Sequence, residues 1–288
     1  MVAPSPTVLK RYVALELRRL REAAGLSRDK VAARLRCASS HIAHLEIGRN
    51  LPRSAELEVM LGFYGLDERT PDFLELVDAA RRGKDWWLPF KGVVPDWFDL
   101  YLGMESSATQ IQAYSLLFVH GLLQTRRYAQ AVIRAGSPDL SDTDVERRLD
   151  LRMARQDALV RQPSPPAVHC VLDEVVLLRL PPQPDVMAEQ LHHLIKLSEL
   201  PNVTIQVLPL AAGLHAGIEG PFTILTFPPD LIGDPGVVYT DTRFRGTYYE
   251  TPTEILAYRN TWTQIHHTAL TPDQTRTQLT HRIEELTP

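Results

Sequence analysis

The chain has 288 residues, 44% hydrophobic and 23% charged, with 31 Lys and Arg against 35 Asp and Glu. That composition excludes wholesale disorder and a collagen-like fibre, and the length fits about two domains. No apolar run approaches the roughly 20 residues that cross a bilayer, so no membrane role is expected. Residues 1–10 hold no apolar signal core, and Cys37 and Cys170 lack metal-type spacing, which together point to a reducing cytoplasm.

The charge is unevenly placed. Residues 1–54 carry 11 basic against 4 acidic side chains, whereas residues 55–288 carry 20 against 31. A basic head that meets a polyanion and an acidic body that does not is one account; a solvated basic helix face is the other.

Residues 1–6 read as a frayed tail. From Thr7 to Arg82 the periodicity is helical. Val8, Tyr12, Leu15, Leu17 and Leu20 mark a first helix that stops at Gly25, and Ser27 caps a second through Leu35. After a break at Arg36–Ala38 a third helix is predicted over residues 39–47, ended by Gly48 and Pro52. A fourth is predicted over residues 54–64 and a fifth over residues 67–82. Residues 83–95, with Trp86, Trp87, Pro89 and Phe90, read as a linker packed against something. Beyond it, helices are predicted at about 125–135, 143–160, 185–199, 252–270 and 272–286. Short β-rich runs fall at 167–172, 203–208, 222–227 and 237–239. The prolines at 163, 165 and 166 and at 181, 182 and 184 mark loops. The expectation is an α+β protein: an all-α five-helix head over residues 7–82, a linker over 83–95, and a mixed helix and small-sheet domain over 96–288.

Two short helices joined by a three- to four-residue turn make a helix-turn-helix, whose second helix fits a major groove. Val31, Ala32 and Leu35 face inward from the first; Ile42 and Leu45 anchor the second and leave Ser39, Ser40, His41 and His44 outside. The run Gly25-Leu26-Ser27, Val31-Ala32, Ile42, Leu45-Glu46 and Gly48 resembles the helix-turn-helix of the phage-repressor/XRE class, over roughly residues 8–66. The resemblance implies double-stranded DNA as partner. It places Arg28 and the exit-loop pair Arg49 and Asn50 on phosphates, and Ser39, Ser40, His41 and His44 on base edges or phosphates. Where that class has Gln, Gly, Ser and a basic residue, this chain has Arg28, Arg36, Ala38 and Ile47.

The body offers ordered phrases in place of one strong motif: GLLQT at 121–125, RMARQ at 152–156, VLDE at 171–174, MAEQL at 187–191, VTIQVLP at 203–209, GLH at 213–215, GPF at 220–222, VYTD at 238–241 and YYE at 248–250. In this order, behind an XRE-type head, they resemble an actinobacterial WhiJ-like or antitoxin-like regulator family over roughly residues 97–286. Its usual proline before GLLQT is replaced by His120. The resemblance implies a nucleoid-associated transcriptional regulator with a small acidic partner protein. The alternative is an antitoxin-like interaction module that binds DNA only to regulate itself.

No nucleophile elbow, phosphate loop, H-E-x-x-H or dinucleotide fingerprint is present, so neither catalysis nor a cofactor is expected. The adjacent pairs His192-His193 and His266-His267 point to different helix faces, so no metal site is expected either. Partner or effector candidates are Trp86 and Trp87 as an aromatic wall, Arg152 and Arg155 as a docking strip, and His215 in a glycine-flanked loop. The competing accounts are linker packing for the tryptophans and a salt-bridged surface for the arginines. One head buries too little surface for tight specific binding, so a homodimer on an inverted repeat is expected.

Overall fold

The helical head starts earlier than its periodicity suggests. In a computed structural model that describes residues 4–286 apart from Pro182, the Ser5 side chain accepts from the Val8 amide, and Pro6 opens helix α1 (Pro6–Ala23). Proline suits that first position, because its missing N–H has no helical partner there. Ser5 and Pro6 therefore belong to a capped helix and not to a tail; residues 1–3 of the expected tail, Pro182 of the expected loop and the last two residues of the expected C-terminal domain lie outside the described residues.

The chain divides into two compact units. One runs to Leu88 and also takes in Pro228–Asp234; the other comprises Pro89–Phe227 and residues from Pro235 onward. The first contains α1, α2 (Arg28–Leu35), α3 (Ser39–Glu46), α4 (Ser54–Tyr64) and α5 (Thr70–Arg82). Its core is built from one face of each helix, including Leu17, Val31, Ile42, Leu45, Leu57, Met60 and Phe73. The segment Pro228–Asp234 is tied to α1 within this unit. Arg11 pairs with Asp234 at 2.5 Å with both side chains buried, and the Tyr12 hydroxyl donates to the Ile232 carbonyl. Trp87 is buried and meets the exposed Trp86 edge-on, and a short 3-10 turn follows at Leu88–Phe90.

The second unit is built on a sheet of six strands among the described residues, in the order β3-β2-β1-β4-β5-β6. The strands are β1 (Gln110–Ser115), β2 (Ala167–Asp173), β3 (Val203–Leu208), β4 (Phe222–Thr226), β5 (Val237–Asp241) and β6 (Gly246–Tyr249). The first three are parallel, so each junction needs a long crossover. Helices α7 (Arg126–Gly136) and α8 (Asp142–Gln156) supply the first, and α9 (Val175–Leu178) with α10 (Pro184–Leu197) the second. The last three strands form an antiparallel meander beside β1.

The α+β class holds, with a sheet larger than the four β-rich runs suggested. Helix α6 (Asp96–Ser107) precedes it, with the Tyr101 ring tilted against Tyr239 of β5, their centres 4.4 Å apart. Helix α11 (Pro252–Thr268) lays Ile255, Trp262 and Ile265 against Tyr114, Phe222, Ile224 and Val238. The open edge of β3 is occupied: its Val207 amide donates to Thr275 on α12 (Pro272–Leu286), and its Val207 carbonyl accepts from Leu270. An edge so covered offers no template for pairing with another chain.

Candidate nucleic-acid interface

Ser27 begins α2 as a side-chain cap for the Lys30 amide. Arg36 then ends α2 in the left-handed region at φ 56°, the conformation for which a turn glycine is usual. Helix α3 follows with Ala38 as its N-cap, so its first turn has no side-chain acceptor, and Ser39 sits inside the helix and does not cap it. Ile47 is the C-cap, which shortens the expected 39–47 helix by one residue. Gly48, at φ 69°, turns the chain close past α1: a Cβ there would stand 3.7 Å from the Lys10 carbonyl oxygen.

Ile42 and Leu45 are fully buried and fix the inner face of α3. Between them and the exit turn sits Glu46, whose side chain has no exposed surface. It accepts from Arg21 Nε at 2.5 Å and Nη2 at 3.0 Å, and from Arg28 Nε at 2.7 Å. One carboxylate thereby clamps α3 to α1 and α2. The hydrogen bond to Glu46, against the opposing effect of burial, raises the Arg21 pKa. Arg21 also reaches the half-exposed Glu22, at 3.2 Å, whereas Arg28 has Glu46 alone, shared with Arg21, and its side chain is 39% exposed. Its remaining N–H groups are free in geometry to meet an anion while Nε holds the clamp.

The other expected contacts are distributed as follows. Ser40, Arg49 and Asn50 are exposed, and Ser39 and His44 half-buried. His44 Nε2 lies 3.4 Å from Arg49 Nη1 at the helix exit. His41 is engaged with Glu56 at the start of α4, 2.9 Å away, so contact with a base would require breaking that bond. Lys30, Arg34, Arg36 and Arg49 make no ion pair among the described residues. Ile47, the C-cap of α3, is 65% exposed, a large apolar group at the end of the helix.

The effector candidates separate. Trp86 and Trp87 belong to the helical unit. Arg155 of α8 is buried and bidentate to Glu105, at 2.7 and 2.8 Å, so it presents no outward strip. Arg152 turns toward Gln124 Oε1 at 2.8 Å. His215 lies 3.7 Å from Asp173, which also accepts from the Tyr114 hydroxyl at 3.1 Å. The body's phrases nonetheless converge. The buried Gln124 side chain donates to Val119 O, Gln156 donates to Gln124 O, and Gln190 both donates to Leu123 O and accepts from the Thr125 amide. This network was not foreseen, although glutamines recurring in GLLQT, RMARQ and MAEQL were a signal for it.

Among the described residues no group of His, Cys, Asp and Glu is arranged to hold a metal ion, and no helix is long and apolar enough to cross a membrane. A family described as a helix-turn-helix domain matches residues 13–73. A second, described as a domain of unknown function, DUF5753, matches residues 98–281. The chain belongs to the DUF5753 family. No curated protein and no solved structure matches it significantly. The DUF5753 match spans α6 to α12, and so takes in the whole six-stranded sheet and the glutamine network.

Proposed function

We propose that this DUF5753 protein is a sequence-specific DNA-binding transcriptional regulator that lays α3 in the major groove. The observation that carries this is the Glu46 clamp: it fixes α3 by its inner face and leaves Ser40, His44, Arg49 and Asn50 outside, on a head whose Lys30, Arg34, Arg36 and Arg49 make no ion pair among the described residues. Arg28, Arg49 and Asn50 grip phosphates; Ser39, Ser40 and His44 meet base edges or phosphates, and His41 joins them on leaving Glu56. Phosphate contacts set affinity and its salt dependence, while base contacts set sequence. One head buries little surface, so two copies read an inverted repeat. The DUF5753 domain is the regulatory part, addressed by a small acidic partner protein or an anionic ligand; an arginine-rich wall in that domain supports an anionic partner over a neutral one. Its place of action is the cytoplasmic nucleoid.

The test is a salt titration of binding to a long mixed-sequence duplex, read by fluorescence anisotropy. Each phosphate contact contributes about 0.9 to the slope of log K against log salt. Arg28→Ala with Arg49→Ala therefore lowers the slope by about 2 and weakens all sequences alike. A slope equal to the parent's removes both residues from the interface.

A further inference from the structure

At the carboxyl ends of β1 and β5 the DUF5753 domain opens into a cavity of about 750 Å³. A recess of about 150 Å³ shares part of its wall, including Phe98, Phe118 and Arg152. The larger volume lies in the range of small-molecule sites. Ligands of open α/β sheets also tend to sit beyond strand carboxyl ends, where strand order reverses. Here β1 is the strand at which parallel pairing to β2 changes to antiparallel pairing to β4.

The wall is lopsided in charge. It carries Arg148, Arg152, Arg155, Arg179 and Arg243 against one acidic residue, Asp241. Arg155 is neutralised by Glu105 and stacks over Phe98 and Tyr101, at 5.3 and 5.5 Å from their ring centres. Arg152, one turn earlier on α8, is not neutralised: it donates to the neutral Gln124 and makes no ion pair among the described residues. Burial, then the neighbouring Arg155 and Arg148, lowers its pKa to about 10, which still leaves it cationic at neutral pH. Arg148 donates to the Val93 carbonyl and likewise makes no ion pair there. A desolvated cation among cations is unfavourable until an anion joins it. The recess is also lined by Tyr239, whose buried hydroxyl lies near the Asp241 carboxylate; burial and that carboxylate raise its pKa, so it stays protonated. Beside the charge, Leu117, Phe118 and Leu180 also line the larger cavity although each is more than 40% exposed.

From this geometry we infer that the cavity binds a small amphipathic organic anion, its carboxylate or phosphate head on Arg152 and Arg148 and its apolar body along Leu117, Phe118 and Val132. A planar guanidinium suits either head, since both accept two parallel N–H bonds. Occupancy of the cavity does not depend on DNA binding; only its use as a control signal rests on the regulator proposal.

The probes are naphthoate, naphthyl phosphate and the neutral naphthylmethanol, titrated calorimetrically into the full-length protein at fixed ionic strength without DNA. At least one anion binds at a single site, tenfold or more tighter than the alcohol. The tighter of the two anions identifies the head as carboxylate or phosphate. Arg152→Gln, which keeps a hydrogen bond to Gln124 within reach, brings that anion down to the alcohol's affinity; Arg148→Gln serves as the second variant if the first does not fold. Val132→Trp fills the apolar side and removes binding of acid and alcohol together. Equal affinity for acid and alcohol overturns the inference, as does unchanged binding in a folded Arg152→Gln protein or no binding of any probe at millimolar concentration. Because DNA is absent, these failures leave the salt titration of the head untouched.

Discussion

Replacing Glu46 by Gln removes one negative charge from between Arg21 and Arg28 while keeping the side chain's size and one acceptor oxygen. Arg21 is 7% exposed and keeps only the half-exposed Glu22, 3.2 Å away, as a charged partner; Arg28, at 39%, regains water. Removing one member of a buried ion pair costs about 3–5 kcal/mol, because the other charge stays desolvated. The partial rehydration of Arg28 places this substitution at the lower end, about 3 kcal/mol. In a domain of this size each kcal/mol moves the melting temperature by about 4–8 °C, so the helical unit melts about 12–24 °C lower. Urea unfolding followed by far-UV circular dichroism gives the energy, and hydrogen exchange of the α3 amides shows where it is lost. Arg21→Met with Glu46→Leu is the control, since an apolar substitute for both buried charges restores most of the stability. A Glu46→Gln protein within about 0.5 kcal/mol of the parent, the range of ordinary surface substitutions, refutes the clamp.

Three further outcomes follow from the same structure. Ala38→Ser supplies the acceptor that the first turn of α3 lacks and stabilises the head by about 0.5–1 kcal/mol; an unchanged urea midpoint shows that the turn is satisfied otherwise. His120 is held neutral: burial first, and then the opposing influences of Glu105 and the arginines, bring its pKa down to about 4. A depressed histidine binds fewer protons folded than unfolded, so the DUF5753 domain loses stability as pH falls from about 6.5 toward the folded value. His120→Gln flattens that part of the stability–pH curve, and an identical curve removes His120 as its cause. The Arg28 and Arg49 pair is tested by the salt slope already described.

Much of the head was legible from local signals. Gly25, Ser27, Gly48 and the buried periodicity place α1 to α5 to within a residue or two at most ends, because caps and apolar spacing act over a few residues. Glu46 was visible in the family-like run, but its role was not, since Arg21 lies 25 positions away and only folding brings them together. In the body, β1 was missed: QIQAYS alternates polar and apolar residues over too short a run, and its burial comes from strands paired on both sides. The four-residue β6 and the aromatic, acid-rich α6 gave equally little local signal. Arg148, Arg152 and Arg155 follow i, i+4, i+7 spacing and so share a face of α8. The many acids on that helix made the face read as solvent-exposed. That it turns inward depends on Glu105 and Gln124, which no local pattern links to it.

The central claim is that α3 reads DNA sequence, and selection of binding sites from random duplexes tests it most directly. The purified full-length protein is used at physiological salt, in parallel with its His44→Ala variant. The account predicts an enriched inverted repeat whose half-site centres lie about one helical turn, or a multiple of it, apart. It also predicts that His44→Ala changes the base preference within each half-site more than the overall affinity. A folded protein that enriches no sequence contradicts the claim, and a preference unchanged by His44→Ala removes that residue from base recognition.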